Sequence, residues 1–401
     1  MRIFWIDLNN FDTKIDKSTY IEICNELVSL ENELCYLTSY EKEPIYPPGI
    51  KYNLRYIYSP RIPLLYRLIL QLRMAWFLAR TLQCGDIIIV QPAALPLSLI
   101  ASRKGAQTHL DIRTIPCDII SWKGHLDRYL YWECLMKWFL KKAHSFSFIT
   151  ETLRKSVENE FKVCFTDYVI WTSAVNTDMF RIKSDSGKSQ SNDQIQLFYH
   201  GHMAVLRGLP TMIRGFAAVV NSDRQDIRLK LVGDGIEYPL IKKSAEDSGI
   251  GDYIEFMGLQ PYESIPELIN KADICICPLP NREEWNVSSP LKVFEYLACG
   301  KPIICTPIPA HRDLLNELPG IIYTEGEDEN AFAAAIIKAC SNLEYLKTRA
   351  EDLREFVVTK YTWQIQAQAL NDYLISKYEP QHEACRQDCG TKTEWRMEHE
   401  H

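Results

Sequence analysis

The chain has 401 residues, of which 46% are hydrophobic and 24% are charged, a composition that excludes fibrous, low-complexity and disordered proteins. Its formal net charge of −7 argues against a general nucleic-acid-binding protein, so no nucleic-acid partner is expected. The length predicts two or three domains, each large enough to bury its own core.

The start of the chain and its cysteines favour a reducing compartment. Asp7 interrupts the segment in which a signal peptide would have its apolar core. Without an export signal, we expect the 13 cysteines to be reduced and the protein to be cytoplasmic. No apolar run reaches the roughly 18–20 residues that a membrane-spanning helix needs.

Short apolar runs and segments of helical periodicity alternate along the chain. Strands are predicted at 3–8, 86–90, 108–112, 145–149 and 168–171 in the first half, and at 195–199, 227–232, 253–257, 272–277, 302–306 and 320–323 in the second. Helices are predicted between the later strands, at 209–220, 237–248, 265–270, 290–299 and 329–340. This alternation is typical of a parallel sheet with helices on both faces.

The predicted fold class is α/β, with two doubly wound, Rossmann-like domains facing a central cleft. A polar segment at 183–194 is the best linker candidate, which assigns residues 1–182 to the first domain and residues 195–345 to the second. Residues 346–380 are predicted to form C-terminal helices, and the charged segment 381–401 a loose tail. Ligands of such sheets bind beyond the carboxyl ends of the strands, so the loops there are the candidates for chemistry.

The helix predicted at 290–299 has the features of an anion site. Ser288 and Ser289 precede it, and Ser289 is a suitable N-cap for a helix of about three turns. Lys292 lies in the first turn, where the helix dipole disfavours a cation unless an anion such as a phosphate lies between them. Glu295 follows on the same face, where it can accept hydrogen bonds from a ribose diol. The alternative is a solvated Lys–Glu pair on a surface helix.

Two loops after predicted strands add to this site. Gly201 follows the strand at 195–199 and allows a ligand to approach the backbone. Arg207 stands before the next helix, and its planar guanidinium suits diphosphate oxygens. The turn Gly233–Gly235 follows the strand at 227–232. Each feature also has a plain structural alternative, a snorkelling arginine in one case and an Asp-Gly turn in the other.

The motifs of the second half occur in the order of a known family. They are Gly201 with Arg207-Gly208, Leu231-Val232-Gly233-Asp234-Gly235, Phe256-Met257-Gly258, the segment 272–278, and the run from Ser289 through Lys292 and Glu295 to Pro302. Over residues 195–315 the series resembles the nucleotide-sugar half of the family 4 retaining glycosyltransferases, which have the GT-B fold. Weaker similarities are Asp111-Ile112-Arg113, the segment 175–180, and Tyr361-Thr362-Trp363, which in the family opens a helix that crosses back onto the first domain.

The resemblance implies a UDP- or GDP-linked sugar donor on the second domain and a glycan or lipid-linked acceptor on the first. Arg207 and Lys292 would hold the diphosphate, and Glu295 the ribose. The residues that would line the nucleotide pocket are Gly201, Gly233, Asp234, Gly235 and Gly258. The resemblance also implies sugar transfer with retention of anomeric configuration, in polysaccharide or glycoconjugate biosynthesis. No metal, cofactor or protein nucleophile is expected, because the departing diphosphate takes the proton of the acceptor and positioning and charge stabilisation do the rest.

The sequence departs from the family pattern at several positions. Val287 replaces the first glutamate of the family motif, and the nearby Glu283 and Glu284 are candidates for the missing contact to the sugar. The basic residue that follows the glycine in the family is His202 here, which donates one hydrogen bond when neutral. Two alternatives therefore stay open: a nucleotide-sugar 2-epimerase built on the same two-domain plan, and a non-catalytic partner subunit of a glycosyltransferase.

His109 and Asp111 are the candidate catalytic residues of the first domain. They lie at the end of the strand predicted at 108–112 and could face the cleft. In the family a histidine or an acidic residue near this point often contacts the donor sugar. An equally weighted alternative is that both residues are structural and that Arg113 only pairs with Asp111.

The first domain also has a surplus of positive charge. Residues 51–150 contain 14 Lys and Arg against 5 Asp and Glu, concentrated in the aromatic-rich stretches 61–80 and 122–142. Cationic helices rich in aromatic residues suit an anionic membrane surface, so we expect peripheral contact with the inner face of a membrane. The alternative is that these helices pack in the core and keep their cationic edges in water.

No metal site is expected from the cysteines and histidines. His382, Cys385 and Cys389 have a spacing and context that are poor for zinc. Cys275 and Cys277 lie within a predicted strand and are expected in the core.

Overall fold

The computed structural model describes residues 1–14, 16–60, 62, 65–116, 125–126, 128–183, 194–222, 224–316 and 318–388, with the backbone alone for 379–388. Several predictions fall outside these residues: most of the linker, the end of the tail, residues 61, 63–64, 122–124 and 127 of the basic stretches, and the side chains of His382, Cys385 and Cys389.

Two parallel sheets form the frame of the molecule. The first contains β1 (Arg2–Asn10), β2 (Glu33–Tyr40), β3 (Asn53–Tyr58), β4 (Ile87–Val90), β5 (Gln107–Ile112), β6 (Ser145–Phe148) and β7 (Val169–Ile170), in the order β3-β2-β1-β4-β5-β6-β7. The second contains β8 (Ile195–His200), β9 (Ile227–Val232), β10 (Ile254–Gly258), β11 (Ile274–Cys277), β12 (Ile303–Cys305) and β13 (Ile321–Tyr323), in the order β10-β9-β8-β11-β12-β13. The strands of both sheets pair in parallel. The predicted fold class, two doubly wound α/β domains, is confirmed.

Helices cover both faces of each sheet. Those of the first domain are α1 (Lys17–Ser29), α2 (Tyr66–Thr81), α3 (Ser98–Arg103), α4 (Leu135–Phe139) and α5 (Glu151–Phe161), with a π-helical turn at Arg128–Cys134 that leads into α4. Those that follow the linker are α6 (Leu209–Val220), α7 (Tyr238–Asp247), α8 (Ile265–Lys271), α9 (Glu283–Asn286), α10 (Leu291–Ala298), α11 (Pro309–Leu315), α12 (Glu329–Ser341), α13 (Leu343–Lys347), α14 (Ala350–Lys360) and α15 (Trp363–Asp388).

The two faces of the first sheet have different cores. On one face, α2 and the π-helical turn bury aliphatic and sulfur side chains with Trp132 against the sheet. On the other face, α1 and α15 enclose a cluster rich in aromatic rings that includes Trp5, Tyr20, Tyr36 and Trp171. The outer surfaces of the helices on the first face are described below, because they carry the basic stretches.

The domains meet at the carboxyl ends of their strands. The hydroxyl of Thr150, which follows β6, donates to the carbonyl oxygen of Val287 at 2.8 Å. The hydroxyls of Thr172 and Ser173, which follow β7, donate to the hydroxyl and carbonyl oxygens of Ser289, each at 2.7 Å. The loops that are expected to carry chemistry are therefore held at the contact between the two domains.

The C-terminal helices divide between the domains. The helix α14 packs on α10 of the second domain, whereas α15 packs on α1 of the first. Arg354 of α14 donates to the carbonyl oxygens of Ala298, at the end of α10, and Phe180, where the chain leaves the first domain. The crossing onto the first domain is thus made by α15, and α15 continues past Gln381, where the sequence predicts a tail.

The structure differs from the sequence-based expectation at two further points. The strands β2 and β3 are not predicted, because polar residues interrupt their apolar pattern. In β2, Thr38 is buried and satisfied at the end of the neighbouring strand β1, since its hydroxyl donates to the carbonyl oxygen of Asn9 and accepts from the amide of Phe11. Cys84 is disulfide-bonded, against the expectation that the thiols are reduced, while the other described cysteines are free.

Candidate functional site

The candidate anion site begins at the amino end of α10. The helix starts at Leu291 with Pro290 as its N-cap, and it spans eight residues. Ser289 is therefore not the N-cap and the helix is shorter than predicted. The hydroxyl and carbonyl oxygens of Ser289 instead accept hydrogen bonds from Thr172 and Ser173 of the first domain.

The ammonium group of Lys292 is the least satisfied charge of this region. The side chain is 9% exposed, and its Nζ atom is buried and has no hydrogen-bond partner among the described residues. Nζ lies 3.9 Å from the centroid of the Tyr199 ring and directly beside Gly201, where a Cβ atom would come within 2.8 Å of it. Because a buried charge without a partner is costly, an anion that enters this position would gain a strong interaction.

The glycine loops form the floor beside Lys292. The amide of Gly201 donates to the carbonyl oxygen of Val232, and the amide of Gly233 to that of Gly258. At Gly233, φ is +134° and a Cβ atom would lie 2.0 Å from the carbonyl oxygen of Gly201, so only glycine fits there. The ends of β8, β9 and β10 are thus joined into one backbone surface, as the sequence predicts for loops at one edge of a sheet.

His202 and Asp234 are held together at the rim of this surface. The ring Nδ1 of His202 lies 2.9 Å from the carbonyl oxygen of Asp234, so Nδ1 donates and Nε2 is left for another partner. The carboxylate of Asp234 accepts from the amide of Gly235 at 2.7 Å and closes the turn.

Arg207 lies in the loop before α6 and packs on Trp285. Its guanidinium lies 4.8 Å from the ring centroid of Trp285, whose Nε1 donates to the carbonyl oxygen of Leu206 at 2.7 Å. Burial raises the pKa of the Cys277 thiol, and the charges of both Lys292 and Arg207 oppose that rise. Both cations are thus near enough to Cys277, at the end of β11, to oppose the rise of its pKa.

Glu295 is buried one turn further along α10. One carboxylate oxygen accepts from the hydroxyl of Tyr262 at 2.9 Å, and the other lies 2.7 Å from Nε2 of His200. The Nδ1 atom of His200 is buried and has no partner among the residues described. The sequence gives no signal for His200 or Tyr262, because neither belongs to a local motif; only the fold brings them to the glutamate.

The remaining second-domain candidates lie around α9. Glu283 is exposed, while Glu284 is buried and accepts from the guanidinium of Arg282 at 2.7 Å. The hydroxyl of Ser288 donates to the carbonyl oxygen of Trp285 at 2.8 Å. Val287 packs into the core of the first domain, so the position of the first family glutamate is occupied by an apolar contact between domains.

His109 does not face the cleft, and its assignment as a catalytic residue is corrected. The side chain is 0% exposed, and its two ring nitrogens lie 2.6 and 2.8 Å from the hydroxyl oxygens of Ser145 and Ser147 on the neighbouring strand. Burial lowers the pKa of His109 to about 3, so the ring is neutral. It is a structural histidine that joins β5 to β6.

Asp111 is buried but not fully satisfied. One oxygen accepts from the hydroxyl of Ser147 at 2.6 Å and from the indole of Trp171 at 2.9 Å. The other, Oδ2, has no hydrogen-bond partner in the described part of the chain, and burial raises the pKa of the carboxyl group. Asp111 is connected to the interdomain contact through the chain. Its partner Trp171 directly precedes Thr172, whose hydroxyl contacts Ser289.

A second group of buried charges lies at the end of β1. Asp7 forms an ion pair with Lys14 and accepts from the hydroxyl of Tyr36 at 2.8 Å. The Lys14 ammonium lies 3.6 Å from the ring centroid of Tyr20, and the charges around it raise its pKa despite burial. No local motif connects these residues, and only the fold brings Lys14 and Tyr36 to Asp7.

The described residues contain no group of three or more His, Cys, Asp and Glu side chains that could hold a metal ion. Within the same ranges, no helix has both the length and the apolar character needed to span a bilayer.

Comparisons with known proteins place these features in a family context. Residues 194–342 match the family model of the group 1 glycosyl transferases. The chain is 25% identical over 202 residues to N-acetyl-alpha-D-glucosaminyl L-malate synthase of Bacillus anthracis, which covers 50% of this chain and 48% of that protein. It is 23% identical over 177 residues to the uncharacterized glycosyltransferase MJ1069 of Methanocaldococcus jannaschii, covering 44% of each. The chain therefore spans about half the length of the curated relatives it matches.

Solved structures resemble nearly the whole chain. Sucrose-phosphate synthase from Thermosynechococcus elongatus superposes with a TM-score of 0.75 at 16% identity, over 96% of this chain and 100% of that one. Anabaena HepE in complex with UDP and glucose superposes with a TM-score of 0.72 at 12% identity, over 94% and 100%. The fold is GT-B. The group 1 match and this fold together support a glycosyltransferase.

Proposed function

We propose that the chain is a retaining glycosyltransferase. It transfers a hexose-type unit from a UDP- or GDP-linked donor to a glycan or lipid-linked acceptor, in polysaccharide or glycoconjugate biosynthesis. The reaction takes place in the cytoplasm at the inner face of a membrane. The single observation that carries the proposal is the ammonium of Lys292, which is buried beside the Gly201 backbone and has no hydrogen-bond partner among the residues that the structure describes.

The cations would act on the leaving group. As the bond between the anomeric carbon and the diphosphate breaks, negative charge develops on the phosphate oxygens, and Lys292 and Arg207 are positioned to stabilise it in a partly buried site. Trp285 fixes the guanidinium of Arg207 from one side, which lowers the entropy lost on binding. Lys292 and Arg207 supply the positive charge, so the step is proposed without a metal.

The acceptor oxygen would form its bond to the anomeric carbon on the face from which the diphosphate leaves. Its proton passes to a phosphate oxygen of the leaving group, which balances the charges, and bond formation on the departing face retains the configuration. Val287 supports a step without a protein nucleophile, because an apolar side chain packed in the first domain stands where the family has a carboxylate.

The nucleoside would lie along the glycine loops. The Gly201–Gly233–Gly258 surface lets the nucleotide approach the backbone, and Glu295 is one turn from Lys292, at a distance that suits a ribose next to a diphosphate. Tyr262 and His200 hold the carboxylate in place and leave lone pairs for ribose hydroxyls. The HepE structure, which contains UDP and glucose, supports this class of ligand for the fold.

A donor screen tests the proposal. The protein is incubated with UDP- and GDP-linked sugars and a pool of glycan and lipid-linked acceptors, and nucleotide release and the anomeric configuration of the product are measured. Acceptor-dependent release with retained configuration is expected. Conversion of the donor without an acceptor would instead indicate an epimerase, and absence of turnover with every donor would indicate a non-catalytic subunit; either result overturns the proposal.

A further inference from the structure

The two basic stretches of the first domain converge on one face. The helix α2 and the π-helical turn before α4 bury their inner sides in the same core. Their outer sides are also in contact, because the guanidinium of Arg67 lies 4.5 Å from the ring centroid of Tyr131. The sequence treats these stretches as separate segments, whereas the fold joins them into one surface.

Large apolar side chains protrude from this surface. Trp138 is 79% exposed and Trp76 is 59% exposed, and Leu68, Leu72 and Tyr129 are also exposed. Single exposed apolar residues are ordinary, but a group of this size on adjacent helices is typical of an interaction surface. The alternative of core packing, which explains the inner sides of the same helices, does not apply to these residues.

Positive charge predominates on this surface, and the acidic Glu133 of the π-helical turn lies 3.8 Å from Arg128. The helix α2 contains Arg67, Arg73 and Arg80 and no acidic residue. The segment that follows the π-helical turn adds Lys137, Lys141 and Lys142, all exposed. On the opposite face of the sheet, α1 carries Glu22 and Glu26. This asymmetry favours an anionic partner on the side of α2 alone.

An apolar groove opens within this surface. It has a volume of about 480 Å³ and lies between β3 and α2, with Ile69, Leu72 and Trp76 among its lining residues. Arg73 borders it and donates to the carbonyl oxygen of Tyr58 at 2.7 Å. The guanidinium of Arg80 lies 3.6 Å from the ring centroid of Trp76. A hydrocarbon chain in the groove would thus have cations beside its polar end.

We propose that this face docks on an anionic lipid bilayer. The face, here called the basic–aromatic face, consists of Leu68, Leu72, Trp76, Trp138, the arginines of α2 and the lysines of 137–142. The groove between β3 and α2 receives one acyl chain. Amphipathic helices with aromatic and aliphatic residues beside cations bind at this depth of a bilayer. This face would bring the acceptor-side domain to a lipid-linked acceptor. Its biological meaning therefore rests on the proposed function.

Vesicle sedimentation tests the charge of the partner. The full chain is mixed with vesicles of phosphatidylcholine alone and of phosphatidylcholine with phosphatidylglycerol, and the bound fraction is measured. Binding is expected only with the anionic vesicles. A triple variant with Lys137→Gln, Lys141→Gln and Lys142→Gln is expected to weaken partitioning about tenfold or more, since each cation near an anionic surface contributes substantially. The matched control replaces the exposed Lys242, Lys243 and Lys338 of the second domain by Gln and is expected to bind as the parent does.

Quenching by brominated acyl chains tests the groove. Vesicles of brominated phosphatidylglycerol are expected to quench the tryptophan fluorescence of the bound protein, and Trp76→Phe is expected to lose a large part of that quenching while it still binds. Leu72→Gln is expected to weaken partitioning, whereas Ile337→Gln, a similarly exposed site in the second domain, is not. Equal binding to neutral and anionic vesicles, equal loss in the control variants, or quenching that Trp76→Phe leaves unchanged would overturn the inference.

The same variants are assayed for UDP and GDP binding in solution without lipid. Retained nucleotide binding together with absent vesicle binding would refute the basic–aromatic face alone. Absent nucleotide binding in the parent protein, with vesicle binding intact, would refute the donor site alone.

Discussion

The carboxyl edges of the two sheets are built in opposite ways. In the second domain, glycine loops pack backbone against backbone, and Lys292 beside them has no hydrogen-bond partner within the described part of the chain. In the first domain, aromatic rings and matched charges fill the same edge, as in the ion pair of Asp7 with Lys14 and the cover of Trp171 over Asp111. Among the described residues, the second edge thus has a buried cation without a hydrogen-bond partner, whereas the charges of the first edge are largely paired, with Oδ2 of Asp111 as an exception.

This difference explains why the two edges are not equally predictable. The candidate site of the second domain depends on short motifs in a fixed order, so Gly201, Arg207, Lys292 and Glu295 can be proposed from sequence. The partners of the first-domain residues come from distant segments, such as Ser145 and Ser147 for His109. Four substitutions test whether the two edges differ in this way.

The largest effect is expected at the loop before α6. Gly208 has φ +78°, and a Cβ atom there would lie 1.8 Å from the carbonyl oxygen of Pro278, so Gly208→Ala forces the two loops apart. We expect a loss of about 4 kcal/mol or more in the free energy of unfolding, measured by urea denaturation. Gly249→Ala is the matched control, because its φ is +70° with nothing within 4 Å, and it should cost only about 1 kcal/mol. Equal losses in both variants would show that the contact with Pro278 is unimportant.

The next effect concerns the buried histidine of the first domain. Because the folded-state pKa of His109 is about 3, below its value in the unfolded chain, the unfolded state binds the proton first as the pH falls. The free energy of unfolding should therefore decrease by about 1.4 kcal/mol per pH unit below about pH 6.5, down to the folded-state pKa. His109→Gln should remove this contribution to the slope. A slope that the substitution leaves unchanged would mean that His109 is accessible to protons, as a cleft residue would be.

A smaller effect is expected at the interdomain contact. Val287→Glu restores the family residue but places a carboxylate in the apolar core of the first domain, so stability should fall by about 2–3 kcal/mol, as measured by thermal unfolding. Val287→Ile, the apolar control, should change it by less than about 1.5 kcal/mol. If Val287→Glu is as stable as the parent, the position is open to the donor site instead.

The smallest change in stability is expected for Glu295→Gln. The amide keeps an oxygen for the hydroxyl of Tyr262, so the free energy of unfolding should change by less than about 1 kcal/mol. Loss of the negative charge should weaken UDP binding about fivefold to tenfold, because neutral acceptors form weaker hydrogen bonds with ribose hydroxyls. Titration with a UDP analogue that lacks both ribose hydroxyls is the control, and the parent and the variant should bind it equally. If the variant also binds this analogue more weakly than the parent does, the ribose lies away from Glu295.

The sequence predicts the parallel sheets and the second-domain helices well because their apolar runs are nearly continuous. It misses β2, because the hydrogen bonds that satisfy the polar residue Thr38 come from other parts of the fold. It also misplaces the start of α10 by assigning the cap to Ser289, whose hydroxyl accepts a hydrogen bond from the first domain instead. It also misses His200 and Tyr262, since hydrogen bonds to Glu295 across the fold leave no local pattern.

The most direct test of the donor site is calorimetric titration of Lys292→Met with UDP and GDP, with the free energy of unfolding measured in parallel. Methionine keeps the stem against Tyr199 and removes only the charge. Affinity for the preferred nucleotide is predicted to fall about 10- to 100-fold, because a charged hydrogen bond to the diphosphate is lost, while stability stays the same or rises, since a buried unpaired charge has been removed. An affinity within twofold of the parent would contradict the site.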